Sequence, residues 1–183
     1  MDQQAALQAT RAWVEHAVIG LNLCPFAKSV VTKEQVRYVV SDAVTPEALA
    51  QQLQQELQLL AAADPAVLDT TLLIHPRVLQ DFADYNDFLE VADAVLDELG
   101  LDGELQVASF HPDYTFADSE PDETGGDVAD CSNRAPYPTL HLLREASIER
   151  AVESFPDASD IYQRNIDTLR RLGWDGWRAL WKA

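Results

Sequence analysis

The sequence predicts one α/β domain over residues 1–183, built on a mixed, mainly parallel sheet of about four strands covered by helices. Three observations carry this. Short apolar or β-branched runs alternate with longer stretches whose apolar residues recur every three or four positions. Two of those runs end in the same dipeptide, at His75-Pro76 and His111-Pro112, where proline cannot continue a central ladder. With 183 residues, 47% of them hydrophobic, the chain can bury one sizeable core, and neither a repeat nor a linker marks a second domain.

Taken in order, Leu7, Trp13, Val14, Ala17 and Val18 recur at helical spacing over residues 5–19, and Gly20 is a plausible C-terminal stop. Residues 36–40 are β-branched and aromatic and predict a short strand. Thr45-Pro46-Glu47 then supplies an N-cap, a proline at the first helical position and an acid in the first turn. Leu49, Leu53, Leu57 and Leu60 make one stripe of that helix, to about residue 62. A second strand follows at 70–74, and a helix from Phe82 to Leu99 ends at Gly100. A third strand covers 105–110. Strand, helix, strand, helix, strand implies right-handed crossovers and parallel pairing.

Residues 113–130 carry seven acidic side chains and no basic one, which predicts a long acidic loop. A last strand at 139–143 is placed beside the third. Two helices near 147–154 and 159–172 follow, then an aromatic face made by Trp174, Trp177, Leu180 and Trp181, read as core packing. Arg144, after the last strand, reads as an ion-pair partner.

The formal charge of −18, from 31 acidic and 13 basic residues, repels phosphate backbones and anionic bilayers, so neither nucleic acid nor membrane is expected as a partner. No apolar run approaches the roughly 20 residues of a membrane-spanning helix. The opening Met-Asp-Gln-Gln lacks the basic and apolar regions of a signal peptide. Two cysteines, Cys24 and Cys131, are no disulfide framework, and a reduced cytoplasmic setting is expected.

Strand direction then locates a candidate site. Parallel strands deliver their carboxyl ends to one edge of a sheet, and ligands of open α/β sheets bind beyond those ends. His75 and His111 are both expected there. The segment from Cys131 to Pro138 would lie over the same edge, bringing Asn133, Arg134 and Tyr137 to it. His111 is a candidate general acid or base, because an imidazole titrates near pH 6.5. Arg134 is a candidate anion clamp, or else the residue that pins the acidic loop.

Cys24, followed by Pro25, Phe26, Ala27 and Lys28, reads as the N-cap of a short helix beginning at Pro25. There backbone N–H groups and the Lys28 ammonium would lower the thiol pKa and make it a nucleophile. The plainer readings are that His-Pro merely ends two strands, that Cys24 is a small core hydrophobe, and that His141, mid-strand, is a hydrogen-bonded face histidine rather than a ligand. His75 and His111 with a nearby acid could also hold zinc or iron, although no metal-ligand spacing is present. Phosphate-loop, dinucleotide and nucleophile-elbow motifs are absent, and no cofactor is indicated.

The segments Gly20-Leu21-Asn22-Leu23-Cys24-Pro25-Phe26, His75-Pro76, Phe110-His111-Pro112 and the block from Asn133 to Glu145 together resemble DUF1415, a bacterial family of unknown function. The resemblance spans nearly the whole chain and implies no activity or cofactor. In that pattern a tyrosine commonly stands where Cys131 is here, which argues against an essential Cys24–Cys131 redox pair.

The resulting expectation is an enzyme acting on a small anionic metabolite, with Cys24 as nucleophile, His111 and His75 serving proton transfer, and Lys28, Asn133, Arg134, Tyr137 and His141 contacting the ligand. The alternatives are a non-catalytic ligand- or protein-binding module and a metalloprotein using His75 and His111. Nothing in the sequence specifies an oligomeric state.

Overall fold

The Asp2 carboxylate accepts the N–H of Gln4 and so opens helix α1 (Gln3–Trp13), which loosens into a π-helical turn over Val14–Ile19. The structure, a computed structural model, describes residues 2–123, 126–153 and 160–181. Gly20 does not end this helix in the left-handed region; its φ is −62°, and a Cβ there would run into the carbonyl of His16. After α2 (Ala27–Thr32) and β1 (Val36–Val40), Thr45 caps α3 (Pro46–Ala62) as the sequence predicts. Then come β2 (Thr70–Ile74), α4 (Phe82–Leu99) capped by Asp81, and β3 (Leu105–Phe110). Gly100 closes α4 at φ 66°, a conformation that costs glycine little.

β4 (Thr139–Arg144), α5 (Glu145–Glu153) and α6 (Ile161–Ala179) complete the order. The predicted end of the penultimate helix and start of the last fall at 154–159, outside the described residues. A break at Gly173 (φ 66°, ψ 174°) divides α6.

The four strands form one mixed sheet in the order β1-β2-β4-β3. β1 and β2 are parallel, while β4 runs antiparallel to both β2 and β3. The expected mainly parallel sheet is thus corrected to a mostly antiparallel one. The cause is that β4 inserts between β2 and β3 instead of adding outside them. Thr139, Leu140 and Leu142 of β4 are buried, whereas Leu105 is the one buried residue of β3, which stands at the edge. Strand direction survives the change. β2 and β3 each oppose β4 and therefore point the same way without touching.

The sheet buries both faces. Leu49, Leu53, Leu57 and Leu60 of α3 with Tyr85, Phe88, Ala92 and Leu96 of α4 pack on Leu73, Leu105, Leu140 and Leu142. On the other face Trp13, Val14 and Ala17 meet Leu72, with Tyr38, Phe110, Trp177 and Leu180 around them. Trp174 and Trp177 also border a third cluster of Leu23, Val128, Cys131 and Leu169, so the aromatic stripe is largely core, with Trp181 40% exposed.

Arg144 forms no ion pair among the described residues. Its guanidinium donates to the carbonyls of Leu60 in the last turn of α3, of its C-cap Ala63 and of Leu68 before β2, tying the end of β4 to that connection. Among the described residues no helix is long and apolar enough to cross a membrane.

Candidate functional site

The two His-Pro imidazoles do meet at one edge of the sheet, and they meet as core. His75 and His111 are each 0% exposed. The His75 Nδ1–H donates to the carbonyl of Val78 (3.1 Å), and the His111 Nε2–H donates to that of Leu79 (3.3 Å). His111 Nδ1 accepts the N–H of Asp113 (3.0 Å), so the His111 ring is neutral with its proton on Nε2, while the buried His75 Nε2 has no partner among the described residues. Leu79 sits at φ 56°, a costly conformation for a leucine, held there while two consecutive carbonyls of its loop are clamped from below.

Tyr85 lies between the imidazoles, stacked on His75 (5.7 Å between centroids, 19°) and tilted against His111 (5.1 Å). Its hydroxyl donates to the carbonyl of Thr139 (2.9 Å) and accepts the N–H of Phe110 (3.0 Å), joining the start of β4 to the end of β3. Phe82 and Tyr114 complete the aromatic packing around His111. Burial pushes His75 down to about 4, with the nearby His111 adding to the effect, and burial likewise lowers His111. The rim is filled with rings.

The segment before β4 crosses this edge as expected, and its polar groups are engaged with the chain itself. Asn133 Nδ2 donates to the carbonyl of Ser109 (3.1 Å), while its own carbonyl accepts the N–H of His111. Arg134 Nε donates to the carbonyl of Tyr114 (2.9 Å) and Nη2 to Asp130 (3.3 Å), and the guanidinium lies 5.6 Å from the Trp174 ring. Asp130 is buried and also accepts from Phe116 N and Ser119 Oγ. Arg134 therefore pins the acidic loop, the second of its two sequence readings. Arg170 holds the other end through Asp127 and Glu120. Tyr137 is half-buried, and its carbonyl accepts the Thr139 hydroxyl.

Arg134→Lys keeps the charge and loses the planar fork, so we expect a cost of about 1 kcal/mol. Thermolysin should then cut the Thr115–Phe116 bond several-fold faster than in the wild type; an unchanged rate would show that the fork does not fasten the loop.

His141 lies on the opposite face from His75 and His111, beside Phe110 (6.0 Å). Its Nε2–H donates to Thr70 Oγ1 (2.7 Å), whose hydroxyl donates to the carbonyl of Leu142 (2.6 Å). Burial holds it down to about 4. This is the face histidine of the plainer reading.

Among the described residues no hydrogen bond joins Cys24 to His75 or His111. Helix α2 starts at Ala27 and not at Pro25, although the thiol does accept the N–H groups of Phe26 and Ala27. The expected lowering of its pKa is corrected. Burial pushes the thiol up and outweighs those two hydrogen bonds, and Lys28 points out as an exposed residue. Burial likewise raises Cys131, 0% exposed, to about 12 despite the nearby Arg134.

Pro25 and Phe26 line an open cleft of about 660 Å³ with Ser29, Val30 and Lys33 of α2 and its C-cap. Gln35, Asp69, Ser147 and Arg150 also border it. Gln35 precedes β1, Asp69 precedes β2 and Ser147 follows β4, so this is the edge opposite His75 and His111. A five-residue strand spans roughly 17 Å, which sets the scale of the separation. Ser147 Oγ donates to Asp69 (2.6 Å) and accepts from Arg150 Nη2 (2.9 Å).

Lys33 and Arg150 were not singled out by the sequence, because the rule for open α/β sheets directs attention to strand carboxyl ends. The available signal was scarcity: the chain has only 13 cations, and these two fall just before β1 and after β4. A smaller hollow of about 170 Å³ lies between the acidic loop and α6, bordered by Phe116, Asp127 and Arg170. Among the described residues no group of three or more His, Cys, Asp or Glu side chains is arranged to hold a metal ion.

No curated protein and no solved structure matches this chain. One family profile does, described as a protein of unknown function (DUF1415), and because it covers residues 5–179 of 183, the chain belongs to that family.

Proposed function

We propose that this protein binds a small anionic molecule in the cleft between α2, the starts of β1 and β2, and α5. The observation that carries this reading is the pairing of Lys33 and Arg150 with an apolar wall of Pro25, Phe26, Val30, Pro65 and Ala66. In a chain with 31 acids and 13 bases, two cations facing one acid run against the composition. A volume of about 660 Å³ falls in the range of small-molecule sites, commonly some 300–1,000 Å³. An apolar wall takes up a ligand's body, and the cations orient its charge.

The binding-module alternative gains over the thiol–imidazole enzyme because Pro25 and Phe26, the residues after Cys24, line this cleft while His75 and His111 are packed at the other edge. A raised thiol pKa with no neighbouring imidazole leaves little thiolate to attack at neutral pH.

The aromatic sulfonate 1-anilinonaphthalene-8-sulfonate tests the reading directly. Its fluorescence should report one site per chain, and the Lys33→Gln/Arg150→Gln variant should bind it at least tenfold more weakly. Equal binding by wild type and variant would remove the cleft as an anion site.

A further inference from the structure

Resting on the anion-binding reading, we infer that the cleft selects a monoanion, a carboxylate on a compact apolar body, over a dianionic phosphate ester. The charges that line it are Lys33 and Arg150 against Asp69, leaving one net positive charge. One carboxylate matches that balance. A phosphate dianion brings a second negative charge that the lining does not offset, beside Asp69 and within a chain of formal charge −18.

The hydrogen bonds point the same way. Ser147 gives its hydroxyl proton to Asp69 (2.6 Å) and a lone pair to Arg150 Nη2 (2.9 Å). It therefore has no proton to offer a phosphoryl oxygen, and a tetrahedral phosphate needs more donors than a planar carboxylate. The same chain of bonds from Asp69 through Ser147 positions the guanidinium. A planar guanidinium fork suits two coplanar carboxylate oxygens. Pro25, Phe26 and Val30 supply the wall for a ring or a short branched chain.

Displacement of the sulfonate dye at pH 8 by benzoate, phenyl phosphate and benzamide separates the cases, since the three share a ring and differ in charge. Benzoate should compete at about tenfold lower concentration than phenyl phosphate, and benzamide should compete more weakly than benzoate. Asp69→Asn keeps an oxygen to accept the Ser147 proton and removes the opposing charge, so phenyl phosphate should draw level with benzoate or pass it. Phenyl phosphate ahead of benzoate in the wild type, or a ratio unmoved by Asp69→Asn, would overturn monoanion selection and leave the anion site standing. Competition by benzamide equal to that of both anions would overturn both readings, because the cleft would then recognise only the ring.

Discussion

Replacing Tyr85 by phenylalanine should cost about 3 kcal/mol of folding stability, a large effect for the loss of one oxygen. The ring would stay, so its stacking on His75 and its contact with His111 and Phe82 would be kept. What goes is the hydroxyl that accepts from Phe110 N (3.0 Å) and donates to the carbonyl of Thr139 (2.9 Å). Those two groups close the end of the β3–β4 pair, where Phe110 and Thr139 are the last partners in register. Each buried polar group left without a partner costs about 1–3 kcal/mol. Burial also pushes the Tyr85 hydroxyl well above its usual range, which keeps it a donor at neutral pH. Urea unfolding of Tyr85→Phe measures the loss directly. A cost below about 1 kcal/mol would mean that the strand ends hold without this staple.

Tyr85 also marks where the sequence stops being informative. Its place in the α4 stripe, with Phe82, Phe88, Leu89, Ala92 and Leu96, is legible from the helical period, and the structure puts it on the sheet. Its hydroxyl's two partners are not, because they lie 25 and 54 positions away and meet only when β4 slots between β2 and β3. Local signals such as the Thr45 cap and the Gly100 stop are read correctly, since their causes lie within four residues. Strand order is a long-range outcome that depends on how helices from distant parts of the chain cover the two faces of the sheet. Sequence order alone gives the β1–β2 and β3–β4 neighbours and fails at β2–β3, which β4 separates.

The convergence of His75 and His111 followed from strand direction, which the insertion of β4 left intact. Their burial did not follow. Polar residues at the carboxyl ends of strands can face a ligand or be capped by their own loop, and here Val78 and Leu79 supply the cap. That choice depends on Leu79 adopting φ 56°, which no spacing in the sequence announces. Arg134 offered two readings of equal chemical merit, and the carboxylate of Asp130, four residues before it, takes the guanidinium. The cleft of Lys33 and Arg150 joins residues 117 apart at the edge where parallel strands begin.

Acidification from pH 7.5 to 5 should remove about 4 kcal/mol of stability through His75 and His141 together, the largest effect we expect. Both rings are held down to about 4 in the folded chain, first by burial, and for His75 also by the nearby His111. In the unfolded chain each returns to about 6.5. Between those values the unfolded state binds protons that the folded state refuses, so stability falls as the pH drops through 6.5 toward 4. At pH 5 the linkage amounts to about 2 kcal/mol for each ring. That is a large share of the roughly 5–15 kcal/mol by which domains are folded. Carboxylates do not account for a loss in this window. Burial alone would raise Asp127, but the N–H groups of Ala129 and Glu120 and the Arg170 guanidinium hold it below its usual range, and its contribution disappears only below that range. Neutralising part of the −18 charge works in the opposite direction by relieving self-repulsion, so the wild-type curve alone mixes two effects. The His75→Gln/His141→Gln variant separates them, because it keeps amide donors near Val78 and Thr70 and cannot take up the protons. Urea unfolding at pH 7.5 and 5 should show the wild type losing about 4 kcal/mol more than the variant, whereas parallel losses would mean that neither imidazole is held neutral by the fold.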